Sequence, residues 1–135
     1  MLASIAVTLC LGLILKYNSK KATIKRYAVA MRGWIDVWRP IDDAALSVGG
    51  EPTSSGTVAT LLEIRKQVFN LRAPEACVDF HKNVIDFMDY RIKGYLSRSL
   101  SEPYEDTLAL FNAALQKGAW VVNEADRIDV EYLEK

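Results

Sequence analysis

Cys77 and His81 stand one helical turn apart, and a thiolate beside an imidazole is a pair that can hold a transition metal or act as nucleophile and base. The supply of such groups is small: the 135 residues include one histidine and two cysteines. A metal site needs further ligands, and Asp79 falls on another side of the same helix. A di-iron bundle needs two Glu-x-x-His motifs, which one histidine cannot supply. An enzyme built on Cys77 and His81 is therefore weakly supported, and no catalytic residue, metal or cofactor is expected.

The remaining polar patterns point the same way. Asp79, Asp86 and Asp89 alternate with Lys82, Arg91 and Lys93 along one stretch, the pattern of a solvated helix face rather than of an acid and base pair. Gly49-Gly50-Glu51-Pro52-Thr53-Ser54-Ser55-Gly56 offers glycines and hydroxyls but lacks the Gly-Lys-Ser/Thr ending of a phosphate loop. No Gly-x-Ser-x-Gly elbow occurs. Seventeen basic residues balance seventeen acidic ones, so no overall field draws nucleic acid, and none is expected as a partner. Trp34 and Trp38 lie one turn apart with Arg32 and Arg39 nearby. They suit either core packing or a partner-binding patch of Trp34, Trp38 and Arg39, since tryptophan and arginine are enriched at interfaces.

The elements that carry these residues follow helical spacing throughout. Ile24, Tyr27, Met31, Trp34 or Ile35, Trp38, Ile41, Ala45 and Val48 recur at steps of three and four. Pro40 is expected to kink this helix or to start a second piece. The glycine-rich stretch at 49–56 is the clearest loop. A second helix fits 57–71, with Val58, Leu61, Leu62, Val68 and Phe69 on one side. Ala73-Pro74-Glu75 interrupts it, and a third fits about 75–99, separate or continued through a proline kink. Its inward positions are read as Cys77, Phe80, Val84, Phe87 or Met88, Tyr95 and Leu96. Ser101 suits an N-cap, and Glu102, Glu105 and Asp106 suit a helix N-terminus. From there Tyr104, Leu108, Phe111, Leu115, Val122, Ala125, Ile128 and Tyr132 keep helical spacing. No alternating strand pattern occurs. The expected fold is all-α: an up-and-down bundle of three or four helices over 18–135, behind an apolar helix at 1–17.

That opening stretch, MLASIAVTLCLGLIL, carries no side-chain charge, and Lys16, Lys20, Lys21, Lys25 and Arg26 follow it. A cleaved signal would need basic residues before the apolar run, and the small residues Ala28-Val29-Ala30 come only after the basic cluster. As a helix, 1–17 spans about 26 Å, a little short of the roughly 30 Å hydrocarbon core. The expectation is a single-pass membrane helix with the five basic residues at the lipid headgroups and the bundle on the cytoplasmic side. A signal segment and a core or oligomer helix are the alternatives. The functional expectation is a non-enzymatic, membrane-anchored accessory or scaffolding subunit of a larger membrane complex, with membrane lipids and membrane-protein subunits as partners. The alternative is a bundle that binds a small molecule or cofactor, with Trp34, Trp38, Phe80 and Trp120 lining a cavity.

Overall fold

A computed structural model describes residues 2–47 and 52–133, with side chains from residue 19 onward. The chain is all-helical, with no strand among the described residues. The elements are α1 (Leu2–Ser47), α2 (Ser55–Phe69), a 3₁₀ turn (Glu75–Cys77), α3 (Val78–Ser99), α4 (Tyr104–Ile128) and a wide π turn (Asp129–Leu133).

Pro40 starts no second helix, because α1 runs on through it to Ser47. Its inward face is Ile24, Tyr27, Met31, Trp38 and Ala45, all buried, with Trp34, Ile35 and Ile41 partly buried beside them. Val48 lies outside the described residues. The hydroxyl-rich loop acts as a helix start: Ser54 caps α2, its Oγ accepting from the Thr57 amide at 3.2 Å. α2 and α3 are separate helices. The chain reverses between Asn70 and Pro74, so that Arg65 of α2 reaches Asp89 of α3 with two hydrogen bonds, 2.8 and 3.1 Å.

The four helices run alternately up and down. α2 and α4 flank α3, and α1 packs closely on α2. α1 and α3 lie diagonally, and large side chains fill the space between them. Tyr27 meets Phe80 edge-on at 6.5 Å, and Trp38 meets Phe87 at 6.4 Å. α3 and α4 approach more closely, because Gly94 leaves room for the Phe111 ring, which a Cβ there would meet at 2.7 Å.

The sequence expectation of a single-pass membrane protein is corrected here. Among the described residues no helix is long and apolar enough to cross a membrane. Where its side chains are described, α1 is an amphipathic bundle helix, with Ile24 and Tyr27 buried only a few residues after Lys20 and Lys21. The side chains of 1–17, on which that expectation rested, lie outside those described. The boundary drawn at residue 17 falls within the continuous helix α1.

α3 ends at Ser99 with Leu100 as its C-cap, and the next residue, Ser101, has a φ of 54°, in the left-handed region. The Glu102 amide returns to the Ser97 carbonyl at 3.1 Å and the Ser101 amide to Arg98 at 3.2 Å, a Schellman closure in which glycine is the usual residue. Ser101→Gly removes the Cβ penalty, and it should stabilise the fold by about 1 kcal/mol, raising the melting temperature by about 4 °C in a circular-dichroism melt.

Candidate functional site

Two polar clusters lie between α1 and α3, and one open face lies between α1 and α4. The first cluster centres on Asp42, which sits one turn after Trp38 on the buried face of α1 and is itself buried. The Tyr95 hydroxyl donates to its carboxylate in a short hydrogen bond and reaches its main-chain carbonyl at 3.0 Å. Arg91 Nε stands 3.3 Å from the other carboxylate oxygen, and its guanidinium lies over the Phe87 ring at 5.3 Å. The indole N–H of Trp38 is near the same carboxylate without a well-aligned bond. Loss of water raises the Asp42 pKa, and the Tyr95 hydrogen bond and the Arg91 charge only partly offset this. Burial, the hydrogen bond to Asp42 and its charge together push the Tyr95 phenol well above its ordinary range.

One turn further along α3, Arg98 donates to the Ala45 carbonyl at 2.6 Å and to the Thr53 hydroxyl at 2.7 Å. Its guanidinium lies over the rings of Tyr95 and Phe111, at 5.4 and 5.9 Å. Ala45 is in the last turn of α1, so this cation serves carbonyls that the helix cannot pair internally. Ser99 Oγ donates to the Thr53 carbonyl at 2.9 Å, which fastens the entry to α2 onto the end of α3.

The second cluster joins Tyr27 to His81, the hydroxyl and Nδ1 sharing a hydrogen bond at 3.0 Å. Burial lowers the His81 pKa, with a hydrogen bond to the Phe69 main chain working the other way. Cys77 is fully buried, and burial raises its thiol pKa. A buried, raised thiol is a poor nucleophile. His81 is thus held by Tyr27 on the opposing helix. Among the described residues no group of three His, Cys, Asp or Glu side chains is placed to hold a metal ion.

Of the charges read as a solvated face of α3, Asp79, Lys82 and Lys93 are exposed, whereas the other three tie the helix to its neighbours. Asp89 pairs with Arg65 of α2, Asp86 with Lys117 of α4 at 3.4 Å, and Arg91 with Asp42 of α1. Of the basic cluster, Lys20 lies over the Tyr132 ring at 5.8 Å, while Lys25 and Arg26 are exposed and Lys21 is half-buried. Lys16 lies outside the described side chains. Of the patch Trp34, Trp38 and Arg39, Trp38 is core, Trp34 is half-buried against it and Arg39 is exposed. The four aromatics proposed for a common cavity do not converge. Phe80 borders a hollow between α1 and α4, whereas Trp120 borders a groove on the α3–α4 side.

The open face was not legible as such. α1 meets the turn at 129–133, but along the rest of α4 the two helices stay apart. A hollow of about 200 Å³ between them is lined by Met31, Arg32, Ile35, Arg39, Ala125 and Ile128. Toward the other end a wider opening of about 600 Å³ is bordered by Leu46, Arg98, Tyr104, Leu108 and Phe111. Along α4 beside this face, Leu108, Leu115 and Val122 are 41%, 66% and 59% exposed. The residues that α4 buries are Thr107, Ala114 and Ile128. The helical spacing read for α4 holds, and of the residues that carry it Tyr104, Leu108, Leu115 and Val122 face the surface.

No protein-family model matches the chain, and no curated protein or solved structure is significantly similar to it.

Two outcomes test this description. Tyr95→Phe leaves the Asp42 carboxylate short of a donor and should cost about 2 kcal/mol in urea denaturation at pH 7. His81 is the sole histidine, and its pKa is lower folded than unfolded. Its contribution is therefore present above the unfolded value of about 6.5 and is lost as pH falls below that value and through the lower folded one. Stability should decline between pH 7 and pH 5.5, and His81→Gln should flatten that part of the profile.

Proposed function

We propose that this chain is a non-enzymatic helical bundle that works by binding other polypeptides, as an accessory or scaffolding subunit of a larger protein assembly. The observation that carries the reading is the row of exposed aliphatic side chains, Leu108, Leu115 and Val122, along the open α1–α4 side. Large apolar side chains left exposed along one helix face are a feature of interaction sites on folded proteins. The buried polar groups support the same view. Asp42, Tyr95, Arg91, Tyr27 and His81 are engaged with one another across helices, in the manner of groups that fix packing.

Capture of the tagged full-length chain from its native source tests the proposal. A defined set of proteins should be retained by the wild type. The same set should be retained by Leu62→Arg, a change at an exposed position on α2, and lost with Leu115→Arg. Retention of nothing specific by the wild type would overturn the proposal.

A further inference from the structure

Resting on the interaction reading above, we infer that the α1–α4 face is covered by a second copy of this chain, with α4 packed in parallel against α4 about a two-fold axis running along the helices. The spacing on α4 is that of a two-stranded seam. Leu108, Leu115 and Val122 recur every seven residues, and Tyr104, Phe111, Gly118 and Ala125 recur every seven at the position four before or three after them. Within one copy the second set beyond the exposed Tyr104 leans on its own bundle: Phe111 packs on Tyr95, and a Cβ at Gly118 would meet Phe87 at 3.3 Å. The first set is left exposed. Glycine and alanine at 118 and 125 keep the surface low there, so a partner helix can approach closely.

Charge selects the occupant and its direction. The outer flank of the seam is Glu105, Asn112, Ala119 and Asp126, while the inner flank is the α1 wall bearing Arg32 and Arg39. Among the described residues Glu105, Asp126 and Arg39 take part in no ion pair, and Arg32 has only Asp129, at 3.9 Å. Arg32 reaches Asp129, and Arg39 stands two turns further along the antiparallel α1 on the same hollow as Ala125, so the two arginines bracket the level of Asp126 along the bundle. A two-fold axis parallel to α4 exchanges the flanks and keeps the levels, which lays Asp126 of each copy over the arginine wall of the other. The antiparallel arrangement instead keeps the flanks and reverses the levels. It would face Glu105 with Asp126, and like charges disfavour it.

Sedimentation equilibrium of the full chain in low salt tests the inference. The wild type should be dimeric, and Leu115→Arg should be monomeric while still melting cooperatively. Asp126→Arg and Arg39→Asp should each weaken association by about tenfold, and the two together should restore most of it, because each copy then presents the reversed pair. A monomeric wild type overturns the inference. It does not touch the interaction reading, which is decided separately by the capture experiment. Association that persists in Leu115→Arg overturns it also, and so does tighter association in Asp126→Arg alone, the result of an antiparallel seam.

Discussion

The bundle depends on a carboxylate placed where a hydrophobic residue would ordinarily sit. Asp42 continues the buried row Ile24, Tyr27, Met31, Trp38 and Ala45 of α1. Buried without partners, its charge would cost several kcal/mol. Tyr95 and Arg91 relieve that cost from α3, one turn apart on the helix diagonal to α1. A slip of α3 along α1 by one turn would leave both the carboxylate and the guanidinium buried and unpaired. Hydrophobic packing alone tolerates such a slip more readily, so the polar pair narrows the registers open to the bundle.

Other features follow from this register. With Tyr95 opposite Asp42, Arg98 arrives at the last turn of α1 and Ser99 at the entry to α2, so one end of the bundle is closed by hydrogen bonds to main chain. At the other end Tyr27 meets His81 and Phe80. The spacing between these contacts nearly matches on the two helices: 27 to 42 on α1 and 81 to 95 on α3 differ by a single residue. Parallel helices of equal rise require that match.

α4 is held differently, and its placement creates the open face. It meets α3 through Ala114, the notch at Gly94 and hydroxyls shared by Ser97 and Thr107 at 2.7 Å. Small groups permit a short distance between α3 and α4, and the helix rolls so that its bulkier row points past α3. α1, kept away from α3 by tyrosine, tryptophan and phenylalanine rings, does not close over that row. The exposed stripe is the geometric counterpart of a wide diagonal and a narrow α3–α4 contact.

Residues alone determined the helical character of the chain. Apolar positions at steps of three and four, a proline-bearing break at 73–75 and acidic residues near 103 sufficed, because helix periodicity and punctuation are local properties. The buried faces of α1 and α3 were largely legible for the same reason. Tertiary structure decided which face of α4 is buried, since two adjacent apolar rows are equivalent until the size of residues on the neighbouring helix chooses between them. It also decided the partners of Arg91, Asp86 and Asp89, which a sequence pattern reads as one solvated face because their partners lie on other helices. Asp42 interrupting an apolar row was the visible sign of the polar core. Identifying Tyr95 as its donor required two residues 53 positions apart to be brought together, and only the packed bundle does that.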